Sequence, residues 1–274
     1  MQKNKTIVIA AGGTGGHIFP AQSLTEVLLK DGYEVCLVCD DRAEQFLQGA
    51  FTKIEKFHIV SEKHTTSRLR KFFYYSKLLL SIFKVKKFLK QKNPALVIGF
   101  GGYPSFPTLA AALSLKVKIA IHEQNAVLGV VNRYFAPFAS RIFVSFLPTQ
   151  KLKDKYLPKA VLAGSLVRGS IKKLKKKKDK FLKILVIGGS QGAQVMTDFV
   201  PDALKQLPMD IQKKLIVHQQ ARGNLIEETE SKYNSFPGKV EISEFFEDVG
   251  KLLNEADLII CRAGASTIAE ITML

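Results

Sequence analysis

Tryptophan is absent from these 274 residues, and cysteine occurs only at Cys36, Cys39 and Cys261. Three thiols are too few for a disulfide framework. The Cys36-x-x-Cys39 spacing suits a redox pair or half a zinc site, but both lie in "EVCLVCDD", which reads as a strand. Side chains three apart on a strand point to opposite faces, so core thiols in a reducing compartment are the better reading. Acidic residues are scarce beside basic ones, 24 against 41, for a net charge of +17. No zinc-finger, helix-turn-helix or RNP pattern accompanies that charge, which argues against a nucleic-acid partner. Long apolar runs are lacking as well. Met1–Thr6 leads straight into a strand without the layout of a signal peptide. The most apolar helical stretch is broken by Lys77 and Lys84 and cannot span a bilayer. For the positive charge there remain an anionic lipid surface, a phosphorylated substrate or a solvated lysine coat.

What is present is a series of apolar runs with helical stretches between them. They are Thr6–Ala10, Glu34–Cys39, Ala95–Gly99, Lys118–His122, Arg141–Val144 and Ala160–Ala163, then Lys183–Ile187, Lys214–His218, Val240–Ile242 and Asp257–Cys261. Strands alternating with helices predict parallel sheets covered on both faces. Two series, each opening on a glycine-rich turn, predict two doubly wound α/β domains, residues 1–164 and 165–274. "SIKKLKKKKDK", from Ser170, is too charged to pack and reads as a solvated loop. "RLRKFFYYSKLLLSIFKVKKFLKQK", from Arg68, has apolar residues around more than half of a helix. It suits a helix lying on a membrane through Phe72, Phe73, Leu79, Ile82 and Phe83, with Arg70, Lys71, Lys86, Lys87 and Lys90 on the headgroups. It equally suits a helix buried on the sheet with its lysines reaching out.

The turns "AAGGTGGHIFPA" and "VIGGSQGAQ" place glycines between a strand and a helix. In open α/β sheets that is where ligands bind, and a helix N-terminus there offers free N–H groups to a phosphate. Gly12, Gly13, Gly15 and Gly16, and then Gly188, Gly189 and Gly192, therefore read as anion cradles. A P-loop is excluded because His17 stands where lysine belongs. A dinucleotide fingerprint fits poorly because Ile18 occupies the third glycine position, although Asp40 or Asp41 could serve as the ribose acid of such a site.

Six segments stand together in order: "GGTGGHIFPA", "GFGGYPSFP", "HEQNAVLGVVNR", "GGSQGA", "EFFEDV" and "CRAGASTIAE". Jointly, over the whole chain, they closely resemble the MurG family of peptidoglycan glycosyltransferases. The resemblance implies a GT-B-like fold, two Rossmann-like domains facing a cleft. It implies transfer of N-acetylglucosamine from UDP-GlcNAc to undecaprenyl-linked lipid I, by one inverting displacement with no metal or other cofactor. The expected place is the cytoplasmic face of the bacterial cell membrane, held peripherally on its anionic surface.

By position, the resemblance gives the diphosphate of lipid I to the first glycine turn, Gly12 to Gly16 with Thr14. Gly101, Gly102 and Tyr103, with Glu123, Gln124 and Asn125, would line the acceptor side. Gly189, Ser190 and Gln191 would hold the donor phosphates. Phe245 and Phe246 would bracket uracil, Arg168 would lie near the nucleotide, and Ala265, Ser266, Thr267 and Glu270 would complete the donor site. A carboxylate such as Glu270 can accept both hydrogen bonds of a ribose diol. His17 is the candidate base, titrating in the useful range, with Glu123 the rival; His122 reads as structural.

Two departures stand out. Ser165 and Leu166 replace the Asn-Pro pair usual before the arginine aligned with Arg168, removing a fixed φ. The family's later β-α units, including a glutamine loop that contacts the sugar, would follow Leu274, so impaired turnover is the expectation for residues 1–274 alone. The competing readings are a UDP-GlcNAc 2-epimerase-like enzyme and an inactive membrane-bound remnant.

Overall fold

A computed structural model describes residues 6–60, 68–169, 171, 173, 180–188, 194–246 and 248–274, with side chains of the second helix from residue 76 onward. The chain divides into two compact units, Met1–Arg168 and Gly169–Leu274. This division lies a few residues beyond the one expected at 164/165.

The first unit alternates as the apolar runs predict. Its strands are β1 (Thr6–Ala10), β2 (Glu34–Asp40), β3 (Glu55–Ile59), β4 (Leu96–Gly99), β5 (Ile119–Glu123), β6 (Arg141–Val144) and β7 (Ala160–Leu162). They form one sheet in the order β3-β2-β1-β4-β5-β6-β7, every adjacent pair parallel. β1 and β5 are buried along their whole length, so they read as continuous apolar runs and not as alternations. β3 escapes the sequence reading because Glu55, Lys56 and His58 leave it no apolar run, and only Ile59 is buried.

The helices are α1 (Gly15–Lys30), α2 (Arg68–Lys92), α3 (Ser105–Ser114) and α4 (Val130–Phe135), and a 3₁₀ turn follows β2 at Asp41–Phe46. Val8, Ala10, Cys36, Val38, Ile121 and Val144 share a core with Val85, Phe88 and Leu89 of α2. Cys36 lies in that core, whereas the Cys39 Sγ is 3.8 Å from His58 Nδ1. Burial lifts both thiols, to about 11 and about 12. They are packed side chains of one strand, and among the described residues no group of His, Cys, Asp and Glu suits a metal.

In the second unit β8 (Leu182–Ile187), β9 (Leu215–Gln220), β10 (Lys239–Ser243) and β11 (Leu258–Cys261) form a parallel sheet in the order β10-β9-β8-β11. Its helices are α5 (Gln194–Lys205), α6 (Met209–Gln212), α7 (Ile226–Lys232), α8 (Val249–Glu255) and α9 (Ala265–Thr272). Ile184, Val186, Leu215 and Val217 of the sheet pack against Met196, Val200 and Leu204 of α5. Most of the lysine-rich stretch from Ser170 lies outside the described residues, as do Gly189, Ser190 and Gln191.

The second helix has one side buried on the sheet and another side that is apolar and exposed. Leu78, Val85, Phe88 and Leu89 are buried, and Leu79, Leu80 and Phe83 are exposed. Ile82, expected at a membrane, instead packs against the core. Phe72 and Phe73 lie outside the described side chains. Among the described residues no helix is long and apolar enough to cross a membrane.

This orientation predicts a contrast within one helix. Leu89→Ala should cost about 2–5 kcal/mol by cavity formation. Phe83→Ser should stay within about 0.5 kcal/mol. Urea denaturation of the two variants reads the difference; equal losses would mean that α2 is turned otherwise.

Candidate active site

Strand order reverses direction between β1 and β4, and there the carboxyl ends of neighbouring strands open a crevice. Two glycine turns meet at that point. After β1 the chain turns at Gly13, φ +85°; after β4 it turns at Gly101 and Gly102, φ +93° and +74°. A Cβ on Gly102 would collide with the Gly12 carbonyl oxygen. A Cβ on Gly12 would come within 2.7 Å of Asp40 Oδ1. Here glycine is required by space as well as by conformation.

Asp40 is fully buried at the end of β2. Its carboxylate accepts the Gly13 N–H at 2.9 Å and the Arg42 guanidinium at 2.6 and 3.0 Å. The first turn was expected to offer its amides to a phosphate. The Gly13 amide is bonded inside the protein instead, and Gly15 and Gly16 open α1. The same bonds occupy Asp40, which is thereby not available as the ribose acid of a dinucleotide site.

His17 follows in the first turns of α1. Its Nδ1 lies 3.3 Å from Thr14 Oγ1, and a Cβ on Gly101 would sit 3.1 Å from its ring. Burial pushes the imidazole below its ordinary range, with Arg42 acting in the same direction. The Glu123 carboxylate, the Gly12 backbone and Asp40 oppose this, and burial prevails. His17 is therefore neutral at physiological pH.

Glu123, 1% exposed at the end of β5, has a different environment. Oε1 accepts the backbone and side-chain N–H groups of Asn125, and Oε2 accepts the Gly129 N–H and the Asn132 amide, all between 2.8 and 3.0 Å. Both oxygens are fully used in holding the β5–α4 loop. Asn132 also donates to the His122 carbonyl. It is a site-organising residue that sequence reasoning missed, although it lies inside the quoted "GVVNR". Tyr103 packs against the core of the unit. His122 stacks on Phe100 at 4.9 Å. Both His122 ring nitrogens and Gln124 Oε1 are buried without a hydrogen bond, although the Gln124 amide is near enough to favour the imidazolium. Burial outweighs that and lowers His122 to about 4.

In the second unit the described residues expected around a nucleotide follow the carboxyl ends of the sheet's two outer strands, β10 and β11. Phe245 and Phe246 follow β10, and Ala265, Ser266, Thr267 and Glu270 lie on α9, which follows β11. Phe246 is buried edge-on to His218 at 6.1 Å, and Ser243 Oγ braces the Phe245 backbone. Glu270 is buried at 7%. Arg168, in contrast, belongs to the first unit, its guanidinium 4.2 Å above the Phe19 ring of α1.

Residues 7–144 match the glycosyltransferase family 28 N-terminal domain, and residues 183–274 match its C-terminal domain. A Rickettsia bellii protein named UDP-N-acetylglucosamine–N-acetylmuramyl-(pentapeptide) pyrophosphoryl-undecaprenol N-acetylglucosamine transferase is 39% identical over 278 aligned positions, covering 98% of this chain and 76% of its own. A Wolbachia relative of the same name is 40% identical, covering 97% and 74%. The crystal structure of Acinetobacter baumannii MurG superposes with a TM-score of 0.66 at 31% identity, over 97% of this chain and 74% of that one. The chain belongs to the MurG family of glycosyltransferases. A solved UDP-N-acetylglucosamine 2-epimerase from Listeria monocytogenes reaches a TM-score of 0.70 at 11% identity, over 99% of this chain and 78% of that one, a likeness of fold alone. Within the MurG family the first unit thus carries the two meeting glycine turns, and the second carries the Phe245–Phe246 pair and α9.

Three outcomes follow from the bonding. Gly102→Ala should cost at least about 1–3 kcal/mol from its φ alone. Glu123→Ala should lose about 1–3 kcal/mol by orphaning the buried Asn132 amide. His122 stays neutral in the fold down to about 4, while the unfolded chain protonates it below 6.5. Its contribution is full above pH 6.5 and is lost as pH falls toward 4, by up to about 3 kcal/mol. His122→Phe should flatten that acid slope, read from urea midpoints at pH 7 and pH 4.5.

Proposed function

We infer that the chain transfers N-acetylglucosamine from UDP-GlcNAc to the MurNAc 4-hydroxyl of undecaprenyl-pyrophosphoryl-MurNAc-pentapeptide, the lipid I to lipid II step of peptidoglycan synthesis. The observation that carries this is the 39% identity, over 98% of the chain, to a protein bearing the name of that transferase. On this reading the acceptor is held by the first unit through Thr14, Gly15, Gly16, Gly102, Tyr103, Gln124 and Asn125. The donor is held by the second unit, through Gly189, Ser190 and Gln191 for its phosphates, Phe245 and Phe246 for uracil, and Glu270 for ribose.

His17 accepts the proton of the 4-hydroxyl as that oxygen attacks the anomeric carbon. The bond from that carbon to the UDP oxygen breaks, UDP leaves with the electron pair, and configuration inverts. Neutral His17 can take a proton, whereas both oxygens of Glu123 already accept hydrogen bonds. Glu123 is therefore a positioning residue for the β5–α4 loop. Helix N-termini can meet the charge that develops on UDP, and the step needs no metal.

Incubation with radiolabelled UDP-GlcNAc and lipid I in detergent should move label into the lipid fraction. Appearance of UDP-ManNAc without lipid, and no labelled lipid, would overturn the reading. His17→Asn should lower kcat by about 100–10,000-fold, the range of general base catalysis. In the wild type kcat/KM should hold steady near pH 7 and fall only below 6.5, because burial lowers His17 from that value.

The membrane surface belongs to the same proposal. Leu79, Leu80 and Phe83 form an exposed apolar face on α2, beside exposed Lys77, Lys84, Lys87 and Lys90. Such a face enters the headgroup boundary while the lysines meet anionic lipid. Each lysine adds about 1 kcal/mol, so Lys87→Ala should weaken sedimentation with phosphatidylglycerol vesicles about fivefold. Binding that ignores salt would refute the electrostatic part.

A further inference from the structure

Asp40 and Arg42 hold no role in the transfer described above, yet they frame its proposed base. The Asp40 carboxylate bridges two chain segments, the Gly13 amide on one oxygen and the Arg42 guanidinium on the other. The Arg42 side chain is 48% exposed, and its Nη2 lies 3.4 Å from where a Gly13 Cβ would be. The guanidinium therefore lies against the glycine turn and is not free in solvent.

We propose that Asp40 and Arg42 are a positioning pair for the acceptor half of the site: Asp40 fixes the Gly13 turn and holds Arg42 against it, so that His17 works beside a matched couple of opposite charges. The proposal rests on the reading of His17 as the base.

Two physical consequences separate this from simple packing. The first is geometric. Gly13 has φ +85°, and the Asp40 bond anchors its amide. Without that bond the turn that leads into His17 loses its fixed direction, and about 1 Å of misplacement costs about 100-fold in rate. The second is electrostatic. The charged groups that act on His17 are Glu123 from β5, Asp40 from β2 and Arg42 from the 3₁₀ turn, with the Gly12 backbone beside them. Arg168 is a further cation at this end of α1, over Phe19. Asp40 favours the protonated imidazole and Arg42 disfavours it. Deleting one charge exposes the other, so the two deletions must act on His17 in opposite directions.

The test follows the His17 imidazole by NMR titration in the wild type, Asp40→Asn and Arg42→Gln, beside the pH profile of kcat/KM for GlcNAc transfer. Asp40→Asn should move the His17 titration to lower pH, and Arg42→Gln should move it to higher pH. Asp40→Ala, which also frees the Gly13 amide, should lower kcat about 100-fold with a smaller change in KM. Arg42→Gln alters a half-exposed side chain and carries the test alone if the Asp40 variants do not fold. An unmoved titration, or a shift in the same direction in both variants, overturns the pair. If the titration moves as stated and the acid limb of kcat/KM stays in place, the pair stands and the assignment of His17 as base falls.

Discussion

The contact of one backbone with another, the Gly12 carbonyl against Gly102, is the constraint on which the carboxyl edge of the first sheet depends. Neither side has room for a Cβ, and Gly102 adopts a φ that side chains avoid. Because the two turns touch, the residues each carries are brought together. His17 on one side comes against Gly101 on the other. A parallel sheet supplies the setting, since all its strands end on one edge. It does not bring the turns into contact; the missing side chains do that.

Two buried carboxylates then fix the loops around this contact. Asp40 ties the first turn to Arg42, and Glu123 ties Asn125, Gly129 and Asn132 into one loop. Each is nearly inaccessible to water, and each is supplied with N–H donors, which is what allows a carboxylate to be buried at all. They differ in what they leave nearby. Asp40 is joined to a cation, while Glu123 is bonded only to neutral donors and so imposes its charge on the neighbouring His17.

Much of this was legible in the sequence. β1 and β6 begin and end where their apolar runs do, and other strands differ mainly at their ends. Parallel strands carry their signal in apolar composition, as even the exposed edge strand β7 does, and β3, interrupted by Glu55, Lys56 and His58, does not. The glycine turns were legible because four glycines in five residues have few uses between a strand and a helix. The Asp40–Gly13 bond was not, since it joins residues 27 apart whose meeting depends on β1–β2 pairing. The four hydrogen bonds on Glu123 were not legible either, because a lone glutamate in sequence gives no sign of how many donors surround it. On α2 the apolar residues were visible, but which of them face the core is decided by the sheet: Ile82 turns inward and Phe83 outward.

The positive charge is unevenly distributed between the α2 surface and the surroundings of His17. A net charge of +17 by itself favours an electropositive surface. Along α2, Lys77, Lys84, Lys87 and Lys90 point to solvent. Around His17 the balance differs: two carboxylates and one guanidinium act on the ring, and burial still keeps it neutral. A base inside a strongly positive site would be deprotonated readily but would resist taking a proton, because the imidazolium would meet like charge. With Asp40 and Glu123 acting on the ring, an imidazolium formed at His17 under the proposed mechanism would meet a compensating field as it appears. Lysines on α2 that met an anionic surface, as proposed, would therefore leave a base at His17 unsuppressed, because the charges that act on that ring are two carboxylates against one guanidinium.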